Sequence, residues 1–228
     1  MIANKKEFFT GVGLLAAFVV VLILIFSPMF KGQNGLEYLD SLYNAISKGS
    51  AYYIPAVKKD VSPFEGKAAK ATLSMAGEKQ AEQTALLFEA AGTEVDIKGK
   101  ELNVSGDLGR MLQNCLSDAD HMYFNKGEKV SNKYGYDAKR VLFNWWHALK
   151  EMDKSFSRQK EFKSAKIVSL VAKKAVETSY NYYGIEPQKI TGRMGVVVFS
   201  LVFYVIYTLW YGFSIMFMFE GWGMRLGH

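Results

Sequence analysis

The sequence predicts a helix-rich α+β protein in which two transmembrane helices flank one extramembrane domain. Two apolar segments without any charged residue, 11–30 and 195–219, support this prediction, as does the polar and charged stretch between them. Apolar residues make up 50% of the chain and aromatic residues 14%, which are high shares for a soluble protein. The mean hydropathy near zero is therefore an average over two different kinds of sequence.

The first apolar segment, residues 11–30, is predicted to be an uncleaved signal anchor. A helix rises 1.5 Å per residue, so about 20 residues cross a hydrocarbon core of about 30 Å. The apolar run is longer than the core of a cleaved signal peptide. Its end, Ser27-Pro28-Met29-Phe30, and the Lys31 that follows offer no small-residue cleavage site.

The second apolar segment, residues 195–219, is long enough to span a bilayer with some tilt. Backbone groups in lipid must be hydrogen-bonded within the segment, so both apolar segments are predicted to be helices. The short tails, 1–10 and 220–228, contain Lys5, Lys6 and Arg225, and the positive-inside rule then places both tails in the cytoplasm. We expect a bacterial inner-membrane protein whose residues 31–194 form a periplasmic domain.

Hydroxyl-bearing side chains recur at spacings of three and four along the second apolar segment. They are Ser200, Tyr204, Tyr207, Tyr211 and Ser214. Hydroxyl groups on one face of a membrane helix bond to neighbouring helices, although tyrosine is also typical of the interfacial belt. The central position of the tyrosines favours a helix-packing face, and Gly13 and Ala17 in the first segment would permit close approach. The pattern leaves open whether the partner is the other segment or another subunit.

The first half of the extramembrane domain begins with a predicted helix over residues 34–48, where apolar positions have helical spacing and Asn34 can act as the cap. Two prolines and a glycine then predict a loop over residues 50–66. A small strand–helix–hairpin module is predicted next, with its helix on one face of an antiparallel sheet. Its elements are a strand at 69–75, a helix at 78–91 and a β-hairpin over 93–105 that would bury Val95, Ile97, Leu102 and Val104.

The second half of the domain is predicted to be helical. Asp107 can cap a helix whose apolar stripe includes Cys115, and the polar residues 125–135 are predicted to form a loop. Between residues 137 and 183 apolar residues keep a spacing of three and four, which predicts a long helical hairpin broken near residues 155–157. One very long helix remains open as an alternative.

The densest polar cluster is Asp118, Asp120 and His121, which are residue types that could ligate a metal. Consecutive helical residues point in different directions, so a solvated helix end is the preferred interpretation. We expect no metal and no cofactor. The sequence contains no GxSxG, GxxxxGK[ST] or GxGxxG motif and no cysteine pair, so neither a nucleotide site nor a catalytic site is indicated.

Three functions remain as hypotheses. The preferred one is a non-catalytic, membrane-anchored accessory subunit of a larger membrane complex, with other subunits or a second copy and the lipid bilayer as partners. The alternatives are a ligand-sensing receptor that signals through a partner and a membrane-anchored enzyme. Nucleic acid is not an expected partner, because the basic residues behind the net charge of +6 are scattered along the chain.

Overall fold

The computed structural model describes residues 2–30 and 32–224. The chain is helix-rich with one small three-stranded sheet, as predicted. It divides into two compact units. The first combines the N-terminal part of the chain, up to residue 49, with the C-terminal part, from residue 187, and the second consists of residues 50–186. Because no membrane is present, the predicted limits of an extramembrane domain at 31–194 stay a prediction.

The helices and strands follow one another along the described residues with short connections. In chain order they are α1 (Lys5–Phe26), α2 (Gly35–Ser50), α3 (Ile54–Val61), β1 (Ala68–Ser74), α4 (Glu78–Glu89), β2 (Glu94–Lys98), β3 (Glu101–Asp107), α5 (Leu108–Tyr123), α6 (Gly127–Tyr134), α7 (Ala138–Arg158), α8 (Phe162–Val171), α9 (Thr178–Tyr182) and α10 (Met194–Gly221). The segment Ala172–Glu177, between α8 and α9, is a π-helix.

The first unit contains α1, α2 and α10. Both α1 and α10 are long enough and apolar enough to cross a membrane, as predicted. α1 begins after Asn4, whose side chain accepts hydrogen bonds from the backbone N–H groups of Lys6 and Glu7. α2 begins at the predicted cap, where Asn34 and Glu37 each accept a hydrogen bond from the other's backbone N–H, which is a capping box.

The second unit is built around the predicted strand–helix–hairpin module. The antiparallel sheet has the order β1-β3-β2, and Leu73, Leu102 and Val104 are buried on the face that α4 and α7 cover. Ile97 was predicted to be buried but is 42% exposed. Its strand, β2, forms the edge of the sheet, so Ile97 has a neighbouring strand on one side alone.

Two segments that the sequence predicts as loops contain helices, so these predictions are wrong. α3 lies within residues 50–66, and Pro55 occupies its first turn, where a missing backbone N–H costs nothing. α6 lies within residues 125–135 and buries Val130 and Tyr134. Each helix has only two turns, and such short helices are stabilised by tertiary burial of a few apolar side chains rather than by propensity.

Residues 138–182 form the predicted helical hairpin, which rules out one very long helix. α7 packs against α8, and the chain reverses at residues 159–161, where Lys160 has a φ of +62°. The break predicted near residues 155–157 lies slightly later, at residues 159–161, because residues 155–157 continue α7. Ser155 and Phe156 are buried in the core there, so the apolar face of α7 extends to its last turn.

Candidate functional site

α1 and α10 pack as an antiparallel pair, so Asn4 and Gly221 meet through a 2.9 Å backbone hydrogen bond at one end of it. The contacts lie along a seam that repeats every seven residues, as in left-handed helix packing. The seam residues are Asn4, Gly11 and Phe18 in α1, and Tyr207, Ser214 and Gly221 in α10.

Glycine is required at two positions of this seam. A Cβ atom at Gly11 would lie 2.7 Å from the backbone nitrogen of Met218 and 2.7 Å from the carbonyl oxygen of Ser214. A Cβ atom at Gly221 would overlap the backbone of Phe8. Sequence reasoning missed both glycines. The spacing of Gly11 and Phe18, which matches that of Ser214 and Gly221, is the signal that could have found them.

The predicted hydroxyl face of α10 divides between the seam and an exposed flank. Ser214 is buried and donates to the carbonyl of Trp210 at 2.7 Å, and the ring of Tyr207 stacks on Phe18 with centroids 4.3 Å apart. Tyr204 and Tyr211 are 68% and 46% exposed. We call these two residues the tyrosine flank.

Ser200, nearer the start of α10, joins α10 to α2. Its hydroxyl shares a 2.6 Å hydrogen bond with the hydroxyl of Tyr43 and donates at 2.9 Å to the carbonyl of Val197. This hydroxyl group is therefore satisfied within the first unit. Of the hydroxyl residues that the sequence singled out, four contact other residues of this unit through hydrogen bonds or ring contacts. They are Ser200, Tyr207, Tyr211, whose ring centroid lies 5.2 Å from that of Phe18, and Ser214.

Gly13 and Ala17 lie on the side of α1 that faces away from the seam. Both are exposed, and a Cβ atom at Gly13 would meet no atom within 4 Å. The close approach of α1 and α10 therefore uses Gly11 rather than these two residues. Whether Gly13 and Ala17 receive a helix of another chain stays a prediction.

An apolar cleft of about 910 Å³ opens between the second half of α1 and the first half of α10. Phe18 and Tyr207 form its narrow end, where the two helices are in contact. Leu36 and Leu39 of α2 line its wide end. The hydroxyl of Tyr207 is buried and has no hydrogen-bond partner among the described residues. We call this space the α1–α10 cleft.

In the second unit, the candidate metal ligands have different partners. Asp118 is buried, and its carboxylate accepts hydrogen bonds from Tyr134 at 2.6 Å, Trp145 Nε1 at 2.9 Å and Lys133 Nζ at 2.8 Å. Burial and the neighbouring Asp118 charge raise the pKa of the Tyr134 hydroxyl, so it stays protonated and remains a donor.

Asp120 points to a different neighbourhood from Asp118. It accepts a 2.6 Å hydrogen bond from the hydroxyl of Tyr52, and Lys58 Nζ lies 3.7 Å from it. Burial and this carboxylate raise the pKa of Tyr52 to about 12. Within residues 2–30 and 32–224 no three His, Cys, Asp or Glu side chains come together in an arrangement that could hold a metal ion, and His121 joins no such group.

A second, smaller groove of about 380 Å³ lies beside the π-helix in this unit. Trp146 and Tyr180 line it, and Trp146 Nε1 donates a 2.7 Å hydrogen bond to Glu177. Lys150 Nζ lies 3.7 Å from the centre of a Trp146 ring, which is a cation–π contact. π-Helices are rare and are frequently found at functional sites.

No protein-family model, no curated protein and no solved structure matches this chain. The function must therefore be argued from the two units themselves. The features that bear most directly on the function are the tyrosine flank and the α1–α10 cleft of the first unit, together with the groove of the second unit that Trp146 and Tyr180 line.

Proposed function

We propose that the chain is a membrane-anchored, non-catalytic accessory subunit of a larger membrane protein complex. α1 and α10 would cross the bacterial inner membrane as a helical pair with both tails in the cytoplasm. Residues 50–186 would be held outside the membrane as a domain for protein–protein contacts. The length and apolar composition of both helices support the membrane assignment, and the charges in the tails support the orientation.

The single observation that carries the proposal is the tyrosine flank. Tyr204 and Tyr211 are separated by seven residues, lie near the middle of a 28-residue helix and expose their rings on one side of it. A phenol at this depth in lipid has no water with which to bond. Another membrane helix can supply a carbonyl, hydroxyl or amide as the acceptor, and polar contacts of this kind join membrane helices.

An indole in the same helix provides an internal example of such a bond. Trp210 Nε1 donates a 3.1 Å hydrogen bond to the carbonyl oxygen of Leu14 on α1. An aromatic donor of α10 can therefore reach a carbonyl of a packed neighbouring helix. The proposal assigns the same kind of bond to Tyr204 and Tyr211, with the acceptor on a partner subunit.

The proposal is tested by extracting the tagged chain from its own membranes in mild detergent and measuring the native mass of what is purified. We expect a stoichiometric assembly well above the 25.7 kDa chain, containing other membrane subunits. The double substitution Tyr204→Phe with Tyr211→Phe removes only the two hydroxyl groups, so it should dissociate a large part of this assembly.

Thr208→Val is the matched control. Its hydroxyl donates to the carbonyl of Tyr204 in the same helix at 2.8 Å, so its loss should leave the assembly intact. A purified monomer or simple homodimer from native membranes would overturn the subunit proposal. Equal effects of the control and the double substitution would show that the tyrosine flank has no special role.

A ligand-sensing receptor is the second candidate, and the groove beside the π-helix is the observation that favours it. A receptor of this kind would show a ligand-dependent rise in the unfolding temperature of residues 50–186. Phe143→Ala, which removes a half-buried aromatic side chain from the lining of this groove, would abolish the rise. A screen of small metabolites without any shift would exclude this candidate for the compounds tested.

A further inference from the structure

The α1–α10 cleft is closed at both ends along the helix axes. At the narrow end, the rings of Phe18 and Tyr207 stack with centroids 4.3 Å apart. At the wide end, α2 is fastened to α10 by the 2.6 Å hydrogen bond between Tyr43 and Ser200. α2 also touches α1, because a Cβ atom at Gly35 would lie 3.2 Å from the carbonyl oxygen of Ile25.

This shape restricts what can occupy the cleft. A membrane-spanning helix with its side chains is about 10 Å wide and would have to continue past both closed ends. A flexible hydrocarbon chain needs neither end to be open, because it can enter from the side. The closed ends therefore favour a chain-like occupant inside the cleft. Tyr204 and Tyr211 line the edge of the cleft and are 68% and 46% exposed, so the exposed part of each ring is left for a partner helix.

The lining has the chemistry of an acyl-chain site. The cleft of about 910 Å³ is at the upper end of the size range of ligand sites in proteins, which runs from about 300 to 1,000 Å³. Its walls are almost entirely aliphatic and aromatic. They include Val21, Leu22, Val196, Phe199 and Phe203. An empty apolar cleft forfeits dispersion contacts on its walls, and a hydrocarbon chain restores them.

The residues just before the wide end of the cleft are basic. Lys189 and Arg193 are exposed and precede Gly195 and Val196, which line the cleft. Arg193 uses Nε to donate a 3.0 Å hydrogen bond to Gln188, which leaves its terminal nitrogens for an anion. Basic side chains at the ends of membrane helices attract anionic lipid head groups.

We infer that the α1–α10 cleft binds one acyl chain of an anionic phospholipid, whose head group lies near Lys189 and Arg193. The inference rests on the proposed membrane anchorage and adds a ligand to it. In this arrangement the lipid fills the space that α1 and α10 leave between them, so it acts as a structural component of the helix pair.

The test uses the purified full-length chain in mild detergent, titrated with phosphatidylglycerol and observed by native mass spectrometry. Wild-type protein should retain one phosphatidylglycerol molecule through washing and gas-phase activation, and phosphatidylcholine at least fivefold less. Gly195→Phe should reduce the lipid adduct at least fivefold, because a Cβ atom at Gly195 meets no atom within 4 Å and the ring can fill the cleft.

Gly212→Phe is the matched control in the same helix. A Cβ atom there also meets no atom within 4 Å, but Gly212 does not line the cleft, so the adduct should remain. Val21→Trp is a second cleft-filling variant, to be used if Gly195→Phe does not give folded protein. Retention of the lipid by a folded cleft-filling variant would overturn the inference, as would equal retention of the two lipids by the wild-type chain.

A separate measurement distinguishes failure of this inference from failure of the proposed function. Alkaline carbonate extraction of membranes releases peripheral proteins and leaves integral ones in the pellet. Release of the chain would overturn the membrane anchorage and the lipid site together. Retention in the pellet, with no phosphatidylglycerol adduct on the purified chain, would overturn the lipid site alone.

Discussion

At the residue scale, Asp118 is a structural carboxylate rather than an exposed one. It is 2% exposed, and three side chains donate hydrogen bonds to it. We expect Asp118→Ala to destabilise the second unit by about 3 kcal/mol, because it leaves buried donors on Tyr134 and Trp145 without an acceptor. Urea unfolding, followed by tryptophan fluorescence of residues 50–186, measures this loss.

Asp120→Ala is the comparison for Asp118. Asp120 is partly exposed and bonds to an exposed tyrosine, so its removal should cost about 1 kcal/mol or less. Comparable losses for the two variants would contradict the assignment of Asp118 as the buried centre of this network. If a metal ion raised the free energy of unfolding of the wild type, and both variants abolished this rise, the metal site that the sequence suggested would be supported instead.

Asp107 is a helix cap whose contribution should depend on pH. Partial desolvation raises the pKa of its carboxyl group, but hydrogen bonds from Gly66 N and Arg110 N outweigh this and hold the pKa below its ordinary value of 3.8. A lowered folded-state pKa stabilises the protein at pH above the unfolded value, and this stability is lost as the pH falls through the folded value.

We therefore expect Asp107→Ala to lower the free energy of unfolding of residues 50–186 by about 1–2 kcal/mol at neutral pH. The difference from the wild type should shrink as the pH falls below 3.8, because the wild-type carboxylate is then being protonated. Denaturant unfolding at pH 7 and pH 3 measures both values. Asp96→Ala, at an exposed strand position, should have almost no effect, and a pH-independent loss at Asp107 would contradict the electrostatic account.

At the element scale, the α1–α10 pair depends on glycine at a single point of the seam in α1. We expect Gly11→Leu to destabilise the α1–α10 pair by about 1–3 kcal/mol, because the leucine side chain would collide with the backbone of α10. Titration of the full-length chain with sodium dodecyl sulfate, followed by circular dichroism, measures the stability of the pair.

Gly13→Leu is the matched control, since a Cβ atom at Gly13 meets open space. It should leave the detergent midpoint of the isolated chain unchanged. If both substitutions lowered the midpoint equally, the seam through Gly11 would be wrong. A Gly13→Leu chain that is stable alone but fails to enter its complex would place a partner helix on that side of α1.

The hydroxyl residues of α10 are divided between the seam and the exposed surface, and this division is a property of the whole helix. Spacings of three and four along α10 predicted one packing face, because such residues share a side of a helix. A neighbouring helix covers only part of that side, so the residues at every seventh position lie in the seam. Tyr207 and Ser214 therefore meet α1 in the seam. Tyr211 touches Phe18 with ring centroids 5.2 Å apart but stays 46% exposed, and Tyr204 is 68% exposed.

At the scale of the whole molecule, residues 50–186 have the features of an independently folding domain. Their core contains apolar side chains from Ile54 to Val176, all within this unit. Asn125 fastens the end of the unit by donating to the carbonyl of Ile185 and accepting from the backbone N–H of Gly184. We expect this fragment to be a soluble monomer with one cooperative unfolding transition.

A fragment of residues 31–194, the domain that the sequence predicts, is the comparison. It would add α2, whose residues Leu36 and Tyr43 are exposed, without the helices that α2 contacts. We expect that longer fragment to aggregate or to require detergent, as judged by gel filtration. An insoluble 50–186 fragment beside a soluble 31–194 fragment would place the domain boundary where the sequence predicted it.

The sequence by itself determined the elements whose signals are local and strong. Uninterrupted apolar runs predicted α1 and α10, alternation predicted the hairpin of β2 and β3, and side-chain caps predicted the starts of α2 and α5. Each of these signals depends on residues within one or two turns of one another, or on the two-residue period of a strand.

Only the tertiary structure decided features that depend on residues far apart in the chain. α3 and α6 are helices because the second unit buries a few of their side chains, and local composition does not record that burial. The seam through Gly11 exists because Ser214 and Met218, about 200 residues later, come within contact distance. The same long-range pairing also creates the α1–α10 cleft. α1 and α10 touch at Phe18 and Tyr207, and α2 contacts both helices at the opposite end of the cleft, so the space between these two contacts is enclosed along the helix axes.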